Sequence, residues 1–209
     1  MWKGSCLGAA RESTVLWRRA FVDSLPVLMG YTTMGFAAGA FLAAAGRVPF
    51  APVWGAVTSV AFVSGTLSFA IVKPMAEHAS LWSVALLTLA LNFRYAFYGI
   101  SMLSRWKGIG FARKLFLIHM LTDENFALEV ASPIRRPQAY ERYCLRLSFL
   151  NLSYWFIGIV SGATAVWGLE RALSPERIRA ATNGIEFAMV ALFLVIFTDQ
   201  ARGWFANGK

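Results

Sequence analysis

Ser24 to Gly46, Ala51 to Val72 and Leu147 to Leu169 each run for the thickness of a membrane without one Asp, Glu, Lys or Arg. No other feature restricts the fold so strongly. At about 1.5 Å per residue, a helix of about 20 residues crosses a ~30 Å hydrocarbon layer, where only helices and closed barrels satisfy their own backbone. Ser80 to Ser104 is interrupted only by Arg94, and Ala180 to Thr198 carries one acid, Glu186, near its start. Phe111 to Ala131 is broken by Asp123 and Glu124 into apolar pieces too short to span alone. With 57% hydrophobic and 15% charged residues, the chain falls outside the range of ordinary water-soluble domains. The expected fold is an all-α polytopic membrane bundle of about five to six transmembrane segments, some of them broken or re-entrant.

The formal net charge of +9 would suit a nucleic-acid partner if the basic residues formed a face. They do not. Lys3, Arg11, Arg18 and Arg19 precede the first run, Arg105, Lys107, Arg113 and Lys114 follow Ser104, and Arg135, Arg136, Arg142 and Arg146 precede Leu147. Basic connections between apolar runs are the pattern of a chain held by anionic headgroups, so the expected partner is the bilayer and no nucleic acid. Strict alternation of full spans places the second cluster opposite the first. Either some basic residues face outward, or a segment between Ala51 and Ser104 is discontinuous and returns to the face it entered. Candidate breaks are Gly65 with Ser64, Thr66 and Ser68, then Lys73-Pro74, then Asn92 to Arg94.

Residues 1–23 lack the long apolar core and cleavage site of a signal peptide. They are expected to be a retained, basic, amphipathic lead-in, with Trp2, Trp17, Arg18 and Arg19 at the cytoplasmic interface. Residues 24–200 form a single transmembrane domain in this reading, and 201–209 a short tail. Gly35 and Gly39 on the first run, and Gly158 and Gly162 on the fourth charge-poor one, stand four apart on one helix face. Small residues so spaced let backbones approach closely in lipid, and helix packing is their preferred role.

Arg94 is the most expensive residue to insert, at roughly 2.5–3.5 kcal/mol near a helix centre, so it must face protein or a wet cavity. On a helix it shares a face with Tyr98 and Ser101, while Asn92 falls on the opposite side. Its guanidinium fork suits a bound carboxylate; equally, it suits a structural pair with an internal acid. Asp123 and Glu124, flanked by Thr122 and Asn125, either complement a helix start, hold an ammonium group, carry a coupling proton or neutralise Arg94. Glu186 is a proton-site candidate or a headgroup-level acid. Ser68 and Asn92 complete the polar candidates.

No phosphate-binding loop, metal-ligand spacing or nucleophile elbow occurs, so neither cofactor, metal nor enzymatic activity is expected. His119 and Asp123 stand at i, i+4, a base and its orienter if one helix carries both. Cys6 and Cys144 imply no disulfide framework.

Together the motifs resemble the AzlC-type branched-chain amino acid permease family, from about Ser24 to Gln200. The landmarks are Pro26, Gly30, Gly35 and Gly39; Ser59, Phe62 and Gly65; Asn92-Phe-Arg94 with Tyr98-Gly-Ile-Ser101; Leu121-Thr-Asp-Glu-Asn-Phe-Ala-Leu128; Trp155, Gly158 and Gly162; and Gly184-Ile-Glu-Phe-Ala. Two departures stand out. Where the family often has a Gln after the second run's Ala-Gly, this chain reads Ser64-Gly-Thr-Leu-Ser68, and it ends soon after Asp199, where relatives usually continue.

The resemblance implies a multi-pass component of a bacterial inner-membrane exporter for branched-chain and related hydrophobic amino acids, working with a small AzlD-type membrane subunit. Arg94, the Asp123/Glu124 pair and the Phe, Leu and Val side chains would meet the carboxylate, ammonium and apolar parts of such a cargo. The proton gradient would drive it. Two alternatives stay open: an exporter of another small amphipathic metabolite, and a structural membrane subunit whose charges only pair internally. Self-association stays open too.

Overall fold

The computed structural model describes residues 3–45 and 48–170 as continuous stretches, then 172, 174–184 and isolated positions between 187 and 202. Among these, all regular structure is helical. The elements are α1 (Lys3–Ala44), α2 (Ala51–Ala61), α3 (Gly65–Ala70), α4 (Val72–Ala76), α5 (Leu81–Met102), α6 (Phe111–His119), α7 (Asp123–Ala131), α8 (Pro137–Leu169) and α9 (Pro175–Thr182). Within the described residues, three helices are long and apolar enough to cross a bilayer: α1 over Glu12–Ala44, α5 and α8. The run at Ala180 to Thr198 lies largely outside the described residues.

The charge-free run at Ala51 to Val72 divides. Its helix stops at Ala61, Phe62 to Ser64 are non-helical, and Ser64 caps the restart by accepting a hydrogen bond from Leu67 N–H at 3.4 Å. The Gly65 neighbourhood is therefore one of the expected breaks. A second interruption, at Ile71, falls just before Lys73-Pro74. Asn92 to Arg94 is not a break: α5 is continuous there, because no Gly or Pro precedes Gly99 and the side chains from Leu81 onward favour helix. α1 runs without interruption from Lys3 through Pro26, and Leu16 and Ala20 are buried.

α1 and α8 pack side by side and point the same way. Gly35 meets Gly158 and Gly39 meets the Ile159–Ala163 turn, so numbers rise together along both helices. Here glycine is required: a Cβ on Gly39 would collide with the Ile159 carbonyl oxygen, and one on Gly162 with that of Phe36. Polar contacts hold the same register. Tyr143 donates to the Asp23 carboxylate at 2.8 Å, and the Ser24 and Tyr154 hydroxyls share a bond of 3.2 Å.

α5 runs against this pair. Met102, Trp106 and Ile109, at and beyond its end, join one buried cluster with Leu16 and Ala20 of α1 and Ala139 to Leu147 of α8. The chain segments bearing Arg18 and Arg19, Arg105 and Lys107, and Arg142 and Arg146 are thus brought to one end of the bundle. The basic clusters that strict alternation would separate lie together.

The short helices fold as two hairpins between these struts. α2 starts beside Ala43 and Val166 at the far end, passes Ile159 and Ala163 at Gly55, and breaks where Gly65 faces Trp155. α3 then returns, with Phe69 against Ala38, Trp155 and Ile159. α6 sets out from the basic end, breaks at Met120 to Thr122, and α7 returns to place Glu129 beside Tyr140.

Gly39→Leu or Gly162→Leu is expected to lower the thermal unfolding midpoint in detergent sharply, by overpacking worth about 1–3 kcal/mol or more. Gly30→Ala, with nothing within 4 Å of the new methyl, should raise it, by roughly 0.5–1 kcal/mol. Cysteines at Lys107 and Arg136 should be labelled from the same side of the membrane; labelling from opposite sides contradicts the shared end.

Candidate functional site

Two helix breaks meet near the middle of the long helices. The His119 ring Nε2 lies 2.8 Å from the Val60 carbonyl, joining the end of α6 to the end of α2. Three residues on, Thr122 begins α7: its hydroxyl oxygen accepts from Asn125 N–H at 3.3 Å. Asp123 and Glu124 occupy the first turn, where carboxylates complement the positive end of the helix. Thr122 and Asp123 are thus a cap and its charge, as the sequence allowed. His119 and Asp123 do not share a helix, so the i, i+4 pairing expected of them fails: the break rotates one away from the other.

Asp123 reaches across to α5. Arg94 Nη1 and Asp123 Oδ2 are 2.9 Å apart, with side chains 39% and 40% exposed. The guanidinium also lies 5.1 Å from the Tyr95 ring centroid and donates to the Tyr95 hydroxyl at 3.3 Å. The pair is incompletely used. Arg94 Nε and Asp123 Oδ1 are buried atoms with no hydrogen-bond partner among the described residues. A donor and an acceptor thus lie side by side, beside the amide end of α7. Such an arrangement can meet a carboxylate and an ammonium group together.

Around this pair the walls are aromatic. Tyr98 stacks on Phe126 with centroids 4.5 Å apart and an interplanar angle of 10°, and its hydroxyl faces Asp123. Phe93 and Phe97 meet edge to face at 5.4 Å on the outer side of α5. Ser101, on the same helical face by spacing, spends its hydroxyl on the Phe97 carbonyl at 2.9 Å.

A second polar set lies behind. Tyr31 of α1 donates to Glu124 Oε2 at 2.8 Å and lies 2.8 Å from the Thr122 hydroxyl. Asn125, 1% exposed, donates to the Met120 carbonyl at the break and accepts from Asn151 Nδ2 of α8. Each bond crosses between elements, so α7 is fastened at its start to both parallel helices.

The structure brings Arg94, Tyr98, Asp123, Glu124 and Asn125 into one region. Ser68 is buried on α3, where its hydroxyl donates to the Ser64 carbonyl at 3.0 Å. Asn92 keeps a buried Oδ1 without a partner among the described residues. Glu186 lies outside the described residues. Gly35, Gly39, Gly158 and Gly162 are at the α1–α8 contact, where they hold the frame and not the site. Sequence reasoning passed over Tyr31 and Asn151, for which a hydroxyl or amide within a charge-free run was the available signal, and named Trp155, edge to face with Tyr31 at 5.5 Å, only as a landmark of the resemblance.

The described residues contain no group of His, Cys, Asp or Glu able to hold a metal ion. A family model described as AzlC protein matches residues 26–168. The "Branched-chain amino acid transport protein AzlC" of Bacillus subtilis (strain 168) is 29% identical over 88% of this chain and 67% of its own length. An "Uncharacterized membrane protein" of Helicobacter pylori (strain ATCC 700392 / 26695) is 30% identical over 89% of this chain and 76% of its own. For "Inner membrane protein YgaZ" of Escherichia coli (strain K12) the figures are 30%, 82% and 68%. No solved structure matches.

Thr122→Val removes the cap on α7 and the partner of Tyr31 in one step. It should cost about 1–2 kcal/mol, read as a lowered unfolding midpoint in detergent, with Thr122→Ser restoring most of it. An unchanged midpoint contradicts the role given to the cap.

Proposed function

The chain belongs to the AzlC family, and on that premise we propose that it is a multi-pass subunit of an inner-membrane exporter for branched-chain and related hydrophobic amino acids. The observation that carries the reading is the Arg94–Asp123 pair, partly exposed on an otherwise apolar helix and retaining one unpartnered donor and one unpartnered acceptor. Bare charges in hydrocarbon are costly, so such a pair belongs at a wet or cargo-filled cavity. In this reading Arg94 takes the carboxylate, Asp123 and Glu124 the ammonium group, and Tyr98 and Phe126 the apolar side chain. Asn125 fixes the α7 start that presents them. The proton gradient drives alternating access.

The topology proposed with it has α1, α5 and α8 as full spans and the α2–α3 and α6–α7 hairpins as half-depth re-entrant segments, five of the five to six segments of the sequence reading. Half-helices that meet inside the membrane aim backbone groups at cargo without exposing them to lipid.

A small AzlD-type subunit completes the proposal. None of the most apolar stretch of α5 is buried, and Leu86, Leu89, Phe93 and Phe97 all point outward beside Arg94. A partner there would shield the charged pair from lipid.

One observation favours a second reading. The salt bridge itself would suffice for a structural subunit whose charges only neutralise each other. Arg94→Ala separates the two. Transport predicts normal abundance in the membrane and a loss of Leu, Ile and Val efflux equal to deletion of the gene, measured as intracellular accumulation in peptide-fed cells. Lower abundance, because Asp123 loses its partner, would instead support the structural reading. Undiminished efflux removes Arg94 from the site.

A further inference from the structure

Glu129 lies outside the Arg94–Asp123 region, on the returning end of α7, and is 1% exposed. Neither carboxyl oxygen accepts a hydrogen bond among the described residues. The groups turned toward it are few. From α8 come the Cys144 thiol, itself fully buried, and Tyr140; from the α5–α6 connection come the Trp106 indole and Arg105. The one cation does not neutralise it. Arg105 Nη1 is spent on backbone, donating to the Glu129 carbonyl at 2.9 Å and to the Val130 carbonyl at 3.1 Å. Tyr140 likewise donates to the Glu129 carbonyl at 3.0 Å and not to its side chain. The Trp106 Nε1 hydrogen has no acceptor either.

A carboxylate so enclosed would lose its water, and the Trp106 indole, the Cys144 thiol and the Arg105 guanidinium that face it offset only part of that cost. A way out is close. A cavity of about 230 Å³, lined by Ser104, Arg105, Ile134, Arg135, Pro137 and Tyr140, shares Arg105 and Tyr140 with the surroundings of Glu129 and opens at the basic end. A small displacement of α7 against Tyr140 would join the carboxyl to that space.

We propose that Glu129 is a proton-binding site of this protein, protonated while α7 is seated against Trp106 and Cys144 and ionised when α7 moves toward the cavity. The step is a simple ionisation: the carboxyl O–H bond breaks, its electron pair stays on Glu129, and the proton passes to water. α7 carries both ends of the device. Glu129 stands six residues from Asp123, about 9 Å along one helix, so a tilt of its buried end about the fastened start changes the angle at which Asp123 meets Arg94. The link to cargo rests on the transport reading above. The proton site does not.

The test uses the full chain in lipid nanodiscs, with infrared difference spectra recorded across a pH titration. A protonated-carboxyl C=O band that fades as pH rises in the wild type and is missing from Glu129→Gln supports the site. Identical acid-band spectra for the two overturn it. Should the glutamine variant fail to insert, Trp106→Phe removes an indole N–H facing the same carboxyl; a shifted band supports the assignment and an unshifted one overturns it. In liposomes with leucine inside and out, Glu129→Gln should keep exchange without a gradient and lose the response to an imposed pH difference. A retained response overturns the coupling. If wild-type protein reconstituted with its AzlD-type subunit exchanges no leucine, the transport reading fails, while the infrared band still decides whether Glu129 binds the proton.

Discussion

Everything in this fold hangs on two helices whose backbones touch. In hydrocarbon, lipid tails are as apolar as Leu, so helices are held by close van der Waals contact and by hydrogen bonds between them. Gly35 and Gly39 against Gly158 and Gly162 supply the first along α1 and α8, and the bonds from Tyr143 to Asp23 and between Ser24 and Tyr154 supply the second. Because the contact is backbone on backbone, its register has no slack. Tyr31 and Asn151 are therefore held at fixed places on facing helices, and both reach the start of α7.

That fixed frame is what permits irregular backbone deep in an apolar molecule. The carbonyls and amides freed at the α2–α3 and α6–α7 breaks need partners, and protein supplies them. His119 meets the Val60 carbonyl, Asn125 meets that of Met120, and the Thr122 hydroxyl takes the Asn125 amide. The only charged pair at that level, among the described residues, closes between α5 and α7; α7 is fastened at its start to α1 and α8, whereas the most apolar stretch of α5 is not buried. Relative motion of those two would open and close the Arg94–Asp123 contact while leaving the frame unchanged.

Much of the architecture was legible in the sequence because hydrocarbon imposes simple rules. Charge-free stretches became α1 and α8, and a Ser or Thr cap marked each restart at Ser64 and Thr122. The acids at Asp123 and Glu124 marked a break for the same reason, since two adjacent carboxylates do not sit inside an apolar span. What was not legible depends on three dimensions. The union of Arg94 with Asp123 was one of several partners the residues allowed, and only packing selects it. The common direction of α1 and α8 has no local signal, and without it the basic clusters seemed to contradict alternation. His119 misled because i, i+4 logic presumes a continuous helix, which the break at Met120 removes. Ser68 misled because a hydroxyl in an apolar run is as readily satisfied by its own backbone.

The central claim is that the ionised groups at the start of α7 and on α5 recognise both charges of one small amphipathic molecule. Equilibrium binding to the protein in nanodiscs, compared for leucine, isocaproate and isoamylamine, examines it directly. The account predicts that leucine binds and that each analogue, having lost its ammonium or its carboxylate, binds far more weakly. Equal binding of all three, or none by leucine where an analogue binds, would contradict it.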